Sequence, residues 1–306
     1  MLACSRRLLV LAATTLAHRH VQTLVVYAGP TTLARQLYVD NFDFFLRHGL
    51  PSSRGCERVD AAVALVLAAE TRRAYAPRLA SLNATCGELL ILERGDRCYD
   101  LEAARTAFVE QRSRLPRFDK VVFLNCGLLG PFSDSAPGRF WADVFTDRVD
   151  ATYKLAGVSI NCGGKRGVRH AHVQSMLWAT DAIGLAAAIA AGAIYDCGTV
   201  VDEAARDELI VRYELGLSRA VLRAGYGVRD AMGADYRDWP AAEAARCVDP
   251  WKSGRSRDYA PEQLVFWKVS RQYTLDVLRA KHRMDGLPPP ARLPPRTYWR
   301  GPGSHR

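Results

Sequence analysis

Two short stretches of this chain concentrate the side chains able to move a proton. In HAHVQSMLWATD, His170 and His172 stand just ahead of Gln174 and Ser175. Further on, Glu214 opens the run ELGLS that ends at Ser218, and a Gly225-Tyr226-Gly227 stop follows. A carboxylate beginning a helix that ends in glycine is a workable general base. The helix fixes the backbone, and its positive N-terminus favours the ionised form. The same pattern also describes a carboxylate that merely caps or decorates a helix. His172 and Gln174 alternate with Val173 along an apolar segment, which predicts that both face one cleft. A single histidine in such a place serves equally well as a satisfied structural residue.

These groups need a frame. Val21–Ala28, Ala61–Ala69, Glu88–Glu93 and Asp119–Leu124 read as buried strands bounded by turn residues. Between them lie helical patterns, one from Leu33 to the stop at Gly49 and Pro51, another over Leu101–Arg112. Strand alternating with helix argues for an open α/β sheet. Ligands of such sheets sit beyond the carboxyl ends of the strands, which makes Ala28, Gly29, Asp100 and Asn125 candidates for binding. After the fourth strand, NCGLLGPF carries Gly127, Gly130 and Pro131, a tight loop that either approaches a ligand closely or is a plain connecting turn.

Val149–Cys162 and Val173–Thr180 read as further strands, with Asp181 the N-cap of the next helix. The basic, glycine-rich run Gly163–His170 is either a lid over an anionic ligand or a solvated loop. Asp238–Tyr259 reads as an irregular loop. Pro261–Arg271 reads as a helix with Pro at its first position, and Lys268 and Arg271 share one face. That face would meet a diphosphate or simply be solvated.

Composition sets wider bounds. A chain of 306 residues, 49% hydrophobic and 24% charged, is ordinary for a folded globular protein. The net charge of +10 favours anionic partners, yet no basic stripe with interleaved aromatics marks a nucleic-acid binder. The eight cysteines include no C-x-x-C pair, so a structural zinc site is not expected. Reduced buried thiols are the default expectation, while the even count also allows disulfides in a secretory compartment. Residues 8–17, after Arg6 and Arg7, have the pattern of a short signal-peptide core and equally that of a first-helix fragment. Residues 1–19 thus form a signal- or anchor-like segment that would associate with a membrane through the N-terminus. A main domain over 20–284 follows, and 285–306 is a Pro/Gly-rich tail.

HVQS at 172–175, ELGLS at 214–218 and LNCGLLGPF at 124–132 together resemble the rhamnan synthesis protein F family of glycosyltransferases. NFDFFLRHGLP (41–51), GDRCYDLEA (95–103) and PEQLVFWKVSR (261–271) resemble further blocks of that family, with Glu102 standing where its pattern has a glycine. The resemblance implies a GT-A-like open mixed sheet with a Rossmann-like nucleotide-binding half and helices on both faces. It implies a nucleotide-sugar donor, with rhamnose or a hexose moved to a hydroxyl of a glycan or glycoconjugate acceptor, and inversion. Glu214 matches the carboxylate that deprotonates the acceptor, and His172, Gln174, Ser218 and Gly130 match other motif positions. Polysaccharide assembly in the Golgi or secretory pathway goes with the signal-like start, a cytoplasmic location with its absence.

One departure concerns metal. GT-A enzymes commonly hold Mn or Mg with a D-x-D after the fourth strand, and here the residues are Asn125-Cys126-Gly127. Mn or Mg held by His172 or other acids remains one expectation, and metal-independent transfer aided by arginine and lysine is the other. The same departure fits a sugar- or nucleotide-binding protein on a decayed transferase scaffold.

Overall fold

A computed structural model describes residues 19–51, 60–86, 89–132, 139–269 and 273–293. Most of the signal-like segment, the end of the Pro/Gly-rich tail, and Arg271 lie outside the described residues. The apolar runs form strands β1 (His20–Ala28), β2 (Ala61–Ala68), β3 (Leu89–Arg94) and β4 (Arg117–Asn125); β2 is buried on both faces throughout, β1 and β4 over their apolar stretches, and the edge strand β3 on alternate residues. Four shorter strands complete the sheet, β5 (Tyr153–Gly157), β6 (Leu177–Asp181), β7 (Gly227–Asp230) and β8 (Asp235–Tyr236). The eight strands run in the order β8-β7-β5-β6-β4-β1-β2-β3. Strands β3, β2, β1 and β4 are mutually parallel, and β6 runs antiparallel between β4 and β5. This is the open α/β sheet expected from the strand pattern, and it is mixed, as the motif resemblance implies.

The chain builds β2 and β3 on one side of β1, then returns to place β4 on the other side. The order therefore reverses between β1 and β4, where a crevice must open at the carboxyl ends.

Alternation along the strands divides the core in two. Val25 and Tyr27 face one layer, which contains helix α1 (Gln36–His48) and α2 (Ala69–Cys86). Leu24, Val26 and Ala28 face the other, which contains α3 (Tyr99–Arg105) and α4 (Ala182–Ala190). Helices thus cover both faces. Asp181 caps α4 as its sequence position predicts, its carboxylate accepting from the Ile183 and Gly184 amides at 3.1 and 3.0 Å. Among the described residues no helix is long and apolar enough to cross a membrane.

Local expectations fail where tertiary pairing competes. The single strand expected over Val149–Cys162 is broken after β5, because Ile160–Asn161 leaves the sheet to pair with His172–Val173. The helix expected over Pro261–Arg271 stops at Leu264. Val265 then takes a positive φ of 65°, its carbonyl accepts from the Phe132 amide at 2.7 Å, and Trp267–Lys268 pairs with Leu128–Leu129. Asp238–Tyr259 is not irregular: Asp238 and Asp249 each cap a short helix, Trp239–Ala244 and Pro250–Ser253. The basic run after Gly163 is a hairpin, Gly164–Lys165 with Val168–Arg169. Lys165 pairs with Asp207 at 2.9 Å and Arg166 with Glu208 at 3.7 Å, so these two charges are matched within the protein.

Gly130 is a packing position rather than a ligand contact. Its φ is +150°, and a Cβ there would lie 2.5 Å from the Val265 carbonyl oxygen and 2.6 Å from the Phe266 ring. Gly130→Ala is expected to cost about 2–4 kcal/mol from backbone strain plus overpacking, read as a lowered urea midpoint with unchanged slope.

Candidate active site

A cleft of about 660 Å³ opens at the β1–β4 reversal. Of the residues predicted from sequence, Ala28, Gly29, Asp100, Asn125 and Glu214 line it. Gly29 is required by close approach on its buried side, since a Cβ would fall 2.4 Å from Leu67 Cδ2. The Gly29 amide donates to the Val66 carbonyl at 3.0 Å, and the Cys126 amide to that of Ala28, also at 3.0 Å. The floor is therefore rigid main chain.

Sequence reasoning missed several lining residues, including Thr31, Arg35, Arg94, Asp96, Tyr99, Ser175 and Tyr213. Arg94 was within reach of the strand-end rule, because it is the last residue of β3. Its buried guanidinium donates to the Tyr99 carbonyl at 2.6 Å and to the Gly29 carbonyl at 3.0 Å, tying the loops after β3 and β1 together.

Glu214 is not at a helix start. A helix capped by Asp202 runs as α5 (Glu203–Leu209), a π-helical turn Ile210–Glu214 and α6 (Leu215–Arg223), with helical dihedrals at both junctions. Glu214 closes the π turn in mid-helix, so the dipole of a helix N-terminus does not act on it. A single π turn inside an α-helix re-aims side chains and is frequent at functional sites.

The two histidine and glutamate motifs meet in space. His172 Nε2 lies 3.6 Å from Glu214 Oε1, and the Ser175 hydroxyl donates to Glu214 Oε2 at 3.3 Å. Ser218 Oγ accepts from the Val173 amide at 2.9 Å, and the His170 ring bonds the Leu215 carbonyl at 3.0 Å. Ser218 therefore joins α6 to the His172 segment without reaching the cleft. His172 Nδ1 faces the His170 carbonyl at 2.9 Å and must carry a proton to bond it.

Burial works against ionisation of Glu214, but the His172 ring, the Lys268 ammonium and the Ser175 hydroxyl outweigh it and hold its carboxyl below the usual range. A base of this kind is ionised at neutral pH. Activity that depends on it should fall only as pH drops through that lowered value. In His172→Gln the burial is less opposed, so the acidic limb of kcat/KM should move to higher pH. A pH–rate profile of both proteins measures this, and coincident limbs would remove His172 from the site.

Asp100 and Asn125 act as a unit. The Asn125 amide donates to Asp100 Oδ2 at 3.0 Å, while its carbonyl accepts from the Gly127 amide at 2.9 Å. Burial pushes the Asp100 carboxyl up, the Glu214 charge adds to the push, and Asn125 and Arg94 oppose it. Gln174 does not face the cleft as alternation predicted. The break in the strand turns it inward, where its carbonyl accepts from the Ser159 hydroxyl at 2.7 Å. The Lys268 ammonium makes no hydrogen bond or ion pair to a described residue, and its charge acts on Glu214.

The residues after β4 do not fit a hard divalent cation. Both ends of the Asn125 amide are engaged, and burial pushes the Cys126 thiol up to about 12, leaving it neutral. The described residues gather potential metal-binding atoms at Cys98, Glu102 and Cys197, but the two sulfurs there are joined as a disulfide. Cys162 and Cys247 form another disulfide, so the default expectation of free thiols is corrected for these four.

No family model matches the chain, and no curated protein matches it in sequence. Among solved structures, it is similar to a mannosyltransferase from Pyrobaculum calidifontis in complex with GDP-Man and Mn2+. That match has 15% identity, a TM-score of 0.36, and spans 61% of this chain and 56% of the mannosyltransferase. A nucleoside-diphosphate-sugar pyrophosphorylase from Vibrio cholerae matches at 10% identity and a TM-score of 0.40, over 68% of this chain and 91% of the other. The glycosyltransferase GlyE of Streptococcus pneumoniae matches at 17% identity and a TM-score of 0.30, over 53% and 34%.

Proposed function

We propose that the chain is a glycosyltransferase that moves a sugar from a nucleotide-sugar donor to a glycan hydroxyl, with Glu214 as general base. The observation that carries this reading is a half-buried carboxylate on the wall of a cleft at the sheet's reversal point, held between the His172 ring at 3.6 Å and the Ser175 hydroxyl at 3.3 Å, with the Lys268 charge favouring its ionised form. In this reading Glu214 takes the proton of the acceptor hydroxyl as its oxygen attacks the anomeric carbon. The bond from that carbon to the donor phosphate breaks on the opposite side, giving inversion and releasing the nucleoside diphosphate. In this reading the Lys268 ammonium, whose charge acts on Glu214, offsets charge developing on the departing phosphate. Rhamnose as the transferred sugar rests on the motif resemblance alone. The disulfides Cys98–Cys197 and Cys162–Cys247 support a secretory-pathway location, where an oxidising environment maintains such bonds.

A second reading is favoured by Asn125 and the neutral Cys126 where a metal-binding acid is common: a binding protein that keeps the cleft without turnover. Incubating the chain with a panel of nucleotide sugars and glycan acceptors, with and without Mn, separates the two. Released nucleoside diphosphate matched by new glycoside supports transfer. Saturable donor binding without either product supports the second reading.

A further inference from the structure

The cleft contains an aromatic ring that the fold itself does not use. Tyr38, Tyr99 and Tyr213 all line it. Tyr213 is buried, and its hydroxyl accepts from the Trp178 indole at 3.3 Å. Tyr38 packs against the core with the Arg35 guanidinium 5.5 Å from its ring. Tyr99 is 49% exposed, and its ring meets no aromatic or cationic partner among the described residues. Its backbone is held at a positive φ of 54°, which a tyrosine rarely adopts, with the carbonyl clamped by Arg94 at 2.6 Å. A conformation of this cost that presents a bare ring to a cleft calls for a ligand that the ring touches.

The next residue supplies the second half of the argument. Asn125 donates to one oxygen of Asp100, the backbone amide of Asp100 also bonds the carboxylate, and no other described side chain donates to it. A flat hydrophobic face followed directly by a fixed carboxylate matches the two parts of a nucleoside, a base to stack and ribose hydroxyls to bond. A stacking face discriminates little among bases, whereas a carboxylate at a strand end selects the ribose diol. Neither group has the character to bind a phosphate.

Resting on the nucleotide-sugar reading of this cleft, we infer that Tyr99 and Asp100 form the nucleoside seat, with Tyr99 stacking on the base and Asp100 accepting from the ribose hydroxyls. The seat lies at the start of α3, which follows β3. Glu214 lies beside Ser175, which leads into β6, so the nucleoside and the reacting hydroxyl are held by different segments.

The test is equilibrium binding of UDP, GDP, dTDP and pyrophosphate to the full chain and to Tyr99→Phe, Tyr99→Ala and Tyr99→Gly. Glycine relieves the backbone conformation yet lacks the ring, so it separates a stacking role from a purely conformational one. Tyr99→Phe should bind the nucleotides within about twofold of the parent, while Tyr99→Ala and Tyr99→Gly should weaken by about tenfold or more, with pyrophosphate unchanged. Asp100→Ala should erase most of the preference for UDP over its 2′,3′-dideoxy form, a preference of about tenfold in the parent. Unchanged nucleotide binding by the glycine variant would overturn the role of Tyr99, and an undiminished ribose preference in Asp100→Ala that of Asp100. Failure of the parent chain to bind any nucleotide would instead remove the nucleotide reading itself.

Discussion

Glu214→Gln is expected to lower the rate of sugar transfer by about 10²–10⁴-fold while leaving nucleotide affinity nearly unchanged. The substitution keeps shape and hydrogen bonding. The new amide carbonyl still accepts from the Ser175 hydroxyl, and its NH2 group faces His172 Nε2 in place of a carboxylate oxygen. The negative charge is lost, and with it the capacity to take a proton. A loss confined to kcat, with KM for the donor unmoved, identifies an interaction made in the transition state. Single-turnover measurements with saturating donor read this directly. Wild-type turnover in the variant would assign proton removal elsewhere, and Asp100 would be the next group to test.

Arg94→Met is the second large effect, and it acts on stability first. The guanidinium satisfies the Tyr99 and Gly29 carbonyls from a buried position where water does not replace it freely. Methionine fills similar space but leaves the Gly29 carbonyl without a donor and the Tyr99 carbonyl with its helical bond alone. Leaving a buried group unpaired and losing the second bond should destabilise the protein by about 1–3 kcal/mol. Urea unfolding should show a lower midpoint with the same slope. The loop after β3 loses its tie to β1, so nucleotide affinity should weaken as well. An unchanged midpoint would mean that water already reaches these carbonyls.

Much of the frame is legible in the residue order. Runs such as VQTLVVYA and AAVALVLA have the near-continuous apolar character of strands covered on both faces, and they form β1 and β2 within a residue of their expected bounds. The turn residues that follow them mark the open end of the sheet, which is why Ala28, Gly29, Asp100 and Asn125 are found together in one cleft. Asp181 as a helix cap is likewise local chemistry, settled by a side chain and two amides next to it in sequence.

What only the folded chain decides is how distant segments satisfy one another. Gln174 and His172 are two residues apart, yet one bonds Ser159 in the interior and the other faces Glu214, because a small ladder with Ile160–Asn161 interrupts the strand between core and cleft. The Lys268 charge acts on Glu214 from a strand pairing with Leu128–Leu129, where the sequence predicts a helix over Pro261–Arg271. Glu214 owes its ionisation to His172, Ser175 and Lys268 rather than to a helix end. Periodicity reports which residues one element buries. It does not report which partner reaches a given backbone amide or carboxylate first, and that competition is resolved across the whole tertiary structure.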